Sequence, residues 1–282
     1  MTRGPDASGT LALGPVRLDS VLDGHLGVAP QVMYPRVTAQ QWAGEAGGYL
    51  GQDGNVPLDY GGYLVRGPGD RVILVDTGGG TRFSSVAGKS VLYEGEGLLD
   101  SLAALAVKPA EITDVVFTHL HFDHSGWASR DGKPTFPRAT YWCHRADWAM
   151  FVDGPADERV RNALLPVAGL VRTWTEEAAV VPWLRLVGCP GHTPGNAIVV
   201  VDGGNRRLAL IGDLAHHPLE FEHPDWHGGL DWDPAVAVDQ RTRWFGRFAD
   251  ESILVASPHF PRQRALRVRR AGPAFSCAEV DA

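Results

Sequence analysis

The stretch Thr118-His119-Leu120-His121-Phe122-Asp123-His124-Ser125-Gly126 brings three histidines and one aspartate into six consecutive residues. Alternate residues of an extended backbone point to the same side, so His119 and His121 can bind one metal ion. Beyond a bend, Asp123 and His124 can face a second metal ion. Nitrogen and oxygen donors of this kind are common zinc ligands. The stretch therefore predicts a metal site, and the alternative is a polar loop of ordinary histidines.

Four further candidate ligands or supporting residues lie elsewhere in the chain. Hydrophobic runs at 72–75, 208–211 and 253–256 are followed by Asp76, Asp213 and His259, and a Gly-rich and Pro-rich segment at 189–195 holds His192. A buried strand that ends on a polar residue delivers it to the edge where loops gather and sites form. One such residue alone would more often be a strand-end cap. Together with the 119–124 motif, the four favour a shared site.

In order and approximate spacing, these motifs resemble the metallo-β-lactamase superfamily of hydrolases from residue 15 to residue 262. The resemblance implies an α/β fold, a four-layer αββα sandwich in which two mixed β-sheets are flanked by helices. It also implies a dinuclear site. The first metal would be held by His119, His121 and His192, the second by Asp123, His124 and His259, and Asp213 would bridge them. Asp76 is expected to accept a hydrogen bond from a ligand imidazole.

The residues after Asp213 are informative about the subgroup. The chain is more similar to the N-acyl-homoserine lactonases and the methyl parathion hydrolase group than to glyoxalase II. The lactonases typically place a tyrosine three residues after the bridging aspartate, whereas this chain has His216, followed by His217. His216 could donate a hydrogen bond to a substrate carbonyl. The equal alternative is that both histidines are loop residues with ordinary partners.

The implied chemistry follows from two neighbouring cations. They acidify a shared water toward neutral pH, so a hydroxide nucleophile exists without a protein base. The predicted function is thus a dinuclear metal-dependent hydrolase that cleaves a lactone, ester or related acyl bond through a metal-bridging hydroxide. The predicted catalytic residues are Asp213, Asp123 and His216, with Asp213 the first candidate to carry a proton to the leaving group. Zinc is the expected metal, and Mn, Fe, Co or Ni could bind the same donors.

Other activities on the same fold stay open. One is a persulfide-dioxygenase-like oxidoreductase with a single iron on His119, His192 and Asp213. Another is a glyoxalase II-like thioesterase, and a third is a nuclease of the ribonuclease Z type. A formal net charge of −7 disfavours the nuclease, because a protein that binds a phosphate backbone usually carries a basic stripe. No nucleic-acid partner is expected.

The substrate is predicted to be a small molecule, and two aromatic-rich segments bear on its nature. Segment 24–60 carries His25, Tyr34 and Trp42, and segment 218–232 carries aromatic residues that include Phe221 and Trp226. Aromatic side chains near a metal site favour a substrate with an apolar or aromatic part. The alternative is that these rings pack the loops against the core.

The chain is predicted to form one domain over residues 15–270, with a disordered tail at 1–14 and a C-terminal tail at 271–282. No signal-like or membrane-spanning apolar run is present, so the expectation is a cytoplasmic protein without membrane contact. A homodimer is common in such folds and stays open. Three cysteines argue against a disulfide framework, and Cys143 and Cys189 are expected to be buried small hydrophobic residues.

Hydrophobic patterning predicts alternating strands and helices. Residues 60–66 and 71–76 are expected to form a hairpin across a Gly-Pro-Gly-Asp turn, and residues 112–118 a strand that leads into the histidine motif. A helix is expected to begin after Asp233, with Pro234 at its first position, and to run to about residue 248.

Overall fold

The computed structural model describes residues 9–80, 91–94 and 97–280, and within these ranges the first ten strands build one large sheet and a small hairpin. Strands β7 and β8 form the hairpin, and the other eight form the first sheet. In chain order they are β1 (Thr10–Leu13), β2 (Val16–Val28), β3 (Val56–Arg66), β4 (Val72–Val75), β5 (Val91–Glu94), β6 (Asp114–Val116), β7 (Ser129–Arg130), β8 (Lys133–Pro134), β9 (Thr140–His144) and β10 (Val171–Trp174).

The first sheet is mixed. Its spatial order is β1-β2-β3-β4-β6-β9-β10, and β5 pairs with β2. The pairs from β1 to β4 are antiparallel, whereas β4, β6, β9 and β10 run parallel to one another. The hairpin between β3 and β4 confirms the predicted turn at 67–70.

The second sheet comes from the C-terminal half of the chain, and its spatial order equals its chain order. Among its pairs, β14 and β15 are parallel and the others are antiparallel. Its strands are β11 (Glu177–Val181), β12 (Leu184–Gly188), β13 (Ala197–Asp202), β14 (Arg207–Leu210), β15 (Leu254–Ala256), β16 (Leu266–Ala271) and β17 (Ala274–Glu279).

The helices are short except for the last. They are α1 (Pro30–Met33), α2 (Ala39–Gln41), α3 (Leu98–Ala104), α4 (Phe122–Ser125), α5 (Arg145–Trp148), α6 (Glu158–Leu164), α7 (Leu219–Glu222) and α8 (Pro234–Asp250). The Asp233 side chain accepts hydrogen bonds from the backbone N–H groups of Ala235 and Val236, and Pro234 opens α8, as predicted. No helix within the described ranges has the length and apolarity that crossing a bilayer requires.

Burial divides the molecule into four layers. Inward residues of the two sheets, such as Val65 and Val199, share one hydrophobic cluster, so the sheets pack face to face. The outer side of the first sheet packs on α3 and α6 through residues such as Leu102 and Leu164. The outer side of the second sheet packs on α8 through Phe245. This arrangement is the predicted αββα sandwich with two mixed sheets.

Two sequence predictions were wrong at the edges of the sheets. The predicted tail at 1–14 contains strand β1, while residues 1–8 of it lie outside the described residues. The predicted tail at 271–282 contains strand β17, and only residues 281–282 lie outside the described part. Segment 24–60 consists of the paired ends of β2 and β3 and the insertion 29–55 between them. β1 and β17 are edge strands of four and six residues, which give little periodic signal in a sequence.

We predict that Phe275→Ala, in β17, lowers the free energy of unfolding by about 3–5 kcal/mol, because it opens a cavity in a buried cluster. Phe275 is 4% exposed, and its ring centroid lies 5.7 Å from that of Phe245 on α8. Urea unfolding followed by fluorescence measures the change. Ser276→Ala, at the exposed neighbouring position, is the control and should leave the midpoint unchanged. Equal midpoints for the two variants would contradict a packed β17.

Candidate metal centre

Asp76 and three of the candidate ligands follow the carboxyl ends of four strands. Asp76 follows β4 and His119 follows β6, while Asp213 follows β14 and His259 follows β15. β4 and β6 are parallel neighbours, and so are β14 and β15. Carboxyl ends of parallel neighbours lie at one edge of a sheet, where sites form. The topology therefore brings residues that are far apart in the sequence to the same edge of the sandwich.

Two glycines allow this edge to close. Gly212 has a φ of +49°, and a Cβ atom there would lie 2.7 Å from the Cβ of Thr118. Gly191 has a φ of +141°, and a Cβ atom there would lie 2.6 Å from the Cα of Ala237. Both positions need the conformational freedom and the small size of glycine. Gly212 immediately precedes Asp213, and Gly191 immediately precedes His192. The tight backbone at each glycine therefore sets the position of one candidate ligand.

The first group of donors consists of His119, His121, His192 and Asp213, whose ligand atoms all lie within 4.8 Å of one another. His121 Nδ1 lies 3.0 Å from His119 Nε2 and 2.8 Å from His192 Nε2. Asp213 Oδ2 lies 3.1 Å from His192 Nε2. Burial and the neighbouring His192 lower the pKa of His121 to about 3, so this imidazole is neutral and has a free lone pair.

The second group consists of Asp123, His124 and His259. His124 Nε2 lies 3.1 Å from His259 Nε2. The Asp123 carboxylate is farther away, at 4.0 Å from His124 Nε2 and 3.7 Å from His259 Nε2. Burial lowers the pKa of His124, but Asp213 and Asp76 outweigh burial and raise it, so this cluster attracts positive charge.

Asp213 lies between the two groups. Its Oδ2 atom faces the first group, and its Oδ1 atom lies 3.2 Å from both His124 Nε2 and His259 Nε2 in the second. The carboxylate is 4% exposed. Oδ1 is buried and has no hydrogen-bond partner within the described residues. A buried carboxylate oxygen normally has a donor or a cation beside it, so this position fits a metal ligand.

The orientation of two imidazoles tests whether a cation fits. His124 Nδ1 lies 3.0 Å from Asp76 Oδ2, and His259 Nδ1 lies 2.8 Å from the backbone oxygen of Asp59. In the neutral imidazoles both Nδ1 atoms therefore donate, and the lone pairs lie on the two Nε2 atoms, which are 3.1 Å apart. Two tetrahedral zinc ligands are roughly 3.3 Å apart, so the separation fits a shared cation.

Asp76 lies where the sequence predicts it. Its Oδ2 accepts from His124 Nδ1 and from the Thr118 hydroxyl at 2.8 Å, and its Oδ1 accepts from the Thr118 backbone N–H at 2.8 Å. The residue has a φ of +61°, which is strained for a non-glycine residue and is common near functional sites. Asp76 therefore fixes both the start of the histidine motif and the tautomer of His124.

Asp231 has a corresponding role that sequence reasoning missed. Its Oδ1 lies 3.0 Å from His192 Nδ1, so the Nε2 atom of His192 is left free to act as a ligand. Asp231 lies in an irregular segment, where no strand-end pattern marks it. The adjacent Trp232 donates its backbone N–H to the carbonyl oxygen of His192 at 3.0 Å, which ties the same segment to the ligand loop.

Asp147 was also missed, and it joins two ligand loops. The carboxylate is buried and accepts from the backbone N–H groups of Leu120 at 3.0 Å and Gly195 at 2.6 Å, and from the Thr193 hydroxyl at 3.0 Å. Burial, partly offset by these hydrogen bonds, raises its pKa to about 6. Leu120 lies between His119 and His121. In the sequence, Asp147 is recognisable only as an aspartate in the first turn of a helix, and such aspartates are too common to identify a site.

His216 and His217 take different positions. His216 Nε2 lies 3.2 Å from Asp213 Oδ2, and its ring centroid lies 4.9 Å from that of His192, so His216 belongs to the site. His217 accepts a hydrogen bond from the Leu219 backbone N–H through Nδ1 and stacks edge-on against Tyr49. Burial lowers the pKa of His217 to about 4. Thus His217 has the ordinary loop role and His216 does not.

The aromatic residues of the two loops are mostly interior. Tyr34, Trp42 and Trp226 pack on one another with centroids 5.4–6.0 Å apart, and Phe221 is fully buried. The burial of these rings supports the alternative that they pack the loops against the core. Trp232 differs, because it is 57% exposed. Cys143 and Cys189 are buried free thiols, as predicted.

Comparison with known proteins identifies a family model and several relatives that this chain matches. Residues 62–243 match the family model described as the metallo-beta-lactamase superfamily. A curated relative, the N-acyl homoserine lactonase of Bacillus cereus, is 24% identical over 155 residues, which are 54% of this chain and 58% of the relative. The chain thus spans little more than half the length of the curated relatives that it matches.

Solved structures match over nearly the whole chain. The crystal structure of AbOPH, a hydrolase of the beta-lactamase superfamily, has a TM-score of 0.86 at 23% identity and covers 99% of both chains. The dizinc quorum-quenching lactonase AidC, solved with a homoserine product, has a TM-score of 0.85 at 22% identity and covers 98% of this chain and 99% of its own. At these identities, the similarity establishes the fold.

We predict that Asp147→Asn weakens metal retention about 10- to 100-fold and lowers the free energy of unfolding by about 1–3 kcal/mol. An amide cannot accept all three hydrogen bonds without turning its NH₂ group toward a donor. Chelator competition and urea unfolding measure the two effects. Asp157→Asn is the matched control, since Asn keeps the N-cap function at the start of α6. If the two variants behave alike, Asp147 does not hold the ligand loops.

Proposed function

Because the chain belongs to the metallo-beta-lactamase superfamily, we propose that it is a dinuclear metal-dependent hydrolase of a lactone, ester or related acyl bond. Relatives named N-acyl homoserine lactonase support a lactone as the first substrate class to test. The structural similarity to AidC, itself a dizinc lactonase, is consistent with this choice.

A single observation carries the proposal, namely the position of Asp213 between two donor groups. One carboxylate oxygen faces each group at 3.1–3.2 Å, and the oxygen that faces the second group has no hydrogen-bond donor among the described residues. A carboxylate that serves one cation would leave the other oxygen buried and unsatisfied. The geometry therefore favours two cations over one.

The residues present fit a pair of divalent cations, with zinc the expected metal. When bound, such cations acidify water toward neutral pH and polarise a substrate carbonyl oxygen. One cation would be held by His119, His121, His192 and Asp213, and the other by Asp123, His124, His259 and Asp213.

Proton movement is assigned to Asp213 and His216. His216 Nε2 lies 3.2 Å from Asp213 Oδ2, within hydrogen-bond reach. Asp213 would carry a proton toward the leaving oxygen, and the Nε2–H group of His216 would turn from Asp213 to an oxygen of the substrate. The Asp123 side chain is 14% exposed, against 4% for Asp213, so Asp123 is the site carboxylate that incoming substrate meets first.

An apolar part of the substrate is assigned to the side of the site near Trp232. This residue is the exposed large aromatic among the described residues, and its backbone is bonded to His192. An exposed indole beside a polar centre offers apolar contact area at little conformational cost. The buried rings of Tyr34, Trp42 and Trp226 have no such role.

The second donor group favours this proposal over the mononuclear iron alternative. That alternative uses His119, His192 and Asp213 and assigns no role to His124 and His259. The Nε2 atoms of these two histidines lie 3.1 Å apart, a separation that fits two ligands of one cation. A buried pair of facing lone pairs without a cation costs free energy and gives no compensating contact.

The proposal is tested by elemental analysis of the purified protein together with hydrolysis of a panel. The panel contains an acyl-homoserine lactone, a simple lactone, an aryl ester and a thioester. We expect about two zinc or similar ions per chain, and lactone or ester turnover that is lost on chelation and restored by added metal. About one iron per chain without hydrolysis would contradict the proposal and favour the oxidoreductase.

We predict that Asp213→Asn lowers turnover at least about 100-fold and reduces the bound metal, since an amide bridges two cations poorly. Steady-state kinetics and metal content measure both effects. Asp202→Asn is a matched control, because Asp202 ends β13 at the surface and its side chain accepts a turn hydrogen bond from the backbone N–H of Gly204. Near-normal turnover of Asp213→Asn with two metals bound would contradict the bridging role.

A further inference from the structure

A buried network of charged side chains lies behind the proposed site. Its centre is Arg241 of α8, which is fully buried. Arg241 Nε lies 3.0 Å from Glu220 Oε2, and Arg241 Nη2 lies 3.8 Å from Asp231 Oδ2. The same guanidinium donates to the backbone oxygens of Leu214 and Trp226. One cation thus serves two buried carboxylates and ties down both ends of the segment that carries His216.

Each carboxylate of the network faces a histidine of the site. Asp231 faces Nδ1 of His192 at 3.0 Å. Glu220 accepts from the backbone N–H of His216 at 3.0 Å, and its Oε1 lies 3.5 Å from Nδ1 of His216. Both histidines then present Nε2 to Asp213 Oδ2, at 3.1 and 3.2 Å. A ring of contacts therefore starts and ends at Asp213 and passes, in order, through His192, Asp231, Arg241, Glu220 and His216.

Tyr34 joins this ring from a distant part of the sequence. It follows α1 in the 29–55 insertion, and its hydroxyl donates to Glu220 Oε1 at 2.6 Å. Trp42 and Trp226 pack against its ring and exclude water. Burial would raise the pKa of Glu220, but Arg241, the nearby His216 and the hydrogen bond from Tyr34 lower it to about 2. Glu220 is therefore held as a carboxylate with one oxygen directed at His216.

We propose that Tyr34, Glu220 and Arg241 are positioning residues that orient the imidazole of His216 toward the reacting centre. Only the kinetic experiments described below rest on the proposed function. Within the network, Tyr34 and Glu220 reach the site through His216. Asp231 reaches it through His192 instead. The Tyr34 hydroxyl and the backbone N–H of His216 both donate to Glu220 Oε1. These two hydrogen bonds hold the carboxylate in one orientation, so the His216 imidazole beside it also has one preferred orientation. A misplaced catalytic group is costly even when the displacement is small.

Tyr34→Phe is the test variant, because it removes one hydroxyl and keeps the buried ring. Tyr141→Phe is the matched control: Tyr141 is also fully buried, and its hydroxyl donates to the Ala128 oxygen in the first sheet, away from the site. Both are compared with wild type as metal-loaded enzyme. We expect Tyr34→Phe to lower kcat about 10-fold with KM within about twofold, and to retain the same metal content. Tyr141→Phe should leave kcat unchanged.

A double-mutant cycle separates positioning from general stability. In a His216→Gln background, Tyr34→Phe should lower kcat by less than about twofold further, because the group it orients is gone. An equal fold loss in both backgrounds would overturn the inference, and so would equal kcat values for Tyr34→Phe and Tyr141→Phe.

A spectroscopic arm needs no substrate. In long-range ¹H–¹⁵N spectra of imidazoles, the signals lost in His216→Gln identify His216. We expect these signals to shift in Tyr34→Phe and to stay in place in Tyr141→Phe. Unshifted signals in Tyr34→Phe would overturn the positioning role. If wild type hydrolyses nothing in the panel, the proposed function fails, whereas the spectra still decide whether Tyr34 orients His216.

Discussion

The burial of one carboxylate, Asp213, is the constraint on which the rest of the site depends. A charge at this depth is costly unless it is paired. Here five imidazoles lie around it, each with a ring nitrogen 3.1–3.6 Å from one of its oxygens. Their loops come from both sheets, so these nitrogens surround the carboxylate only when the two sheets are packed face to face. At this edge, the site therefore forms only as the two sheets fold and pack together.

A ring of other carboxylates keeps those imidazoles in place. Asp76 and Asp231 each accept from the Nδ1 atom of one histidine and leave its Nε2 atom facing inward. Asp147 acts on backbone instead, because it holds N–H groups of two loops. Glu220 acts on His216 and is itself held by Arg241 and Tyr34. The metal centre that we propose is therefore preorganised by anions that do not bind metal.

The insertion 29–55 shows how a segment without a functional motif can contribute to a site. Its aromatic residues do not line an open pocket, as their composition suggests, but form a dry cover over a charged network. In a low-dielectric environment, hydrogen bonds to an ionised group are stronger and more directional. Exclusion of water by Trp42 and Trp226 thus makes the Tyr34–Glu220 contact effective, although neither tryptophan approaches the site.

The sequence by itself determined the candidate donor set, and the resemblance of its motifs to the metallo-β-lactamase superfamily implied the αββα architecture. It did so because metal donors need particular residue types at fixed spacings, and buried strands need continuous apolar runs. It did not reveal Asp147, Asp231, Glu220, Arg241 or Tyr34, nor the strands β1 and β17. Those residues act through partners up to 186 positions away, as in the bond from Tyr34 to Glu220, and their local patterns are ordinary. Only tertiary packing decided which buried charges meet, because the free energy of a charge depends on its surroundings and not on its neighbours in the chain.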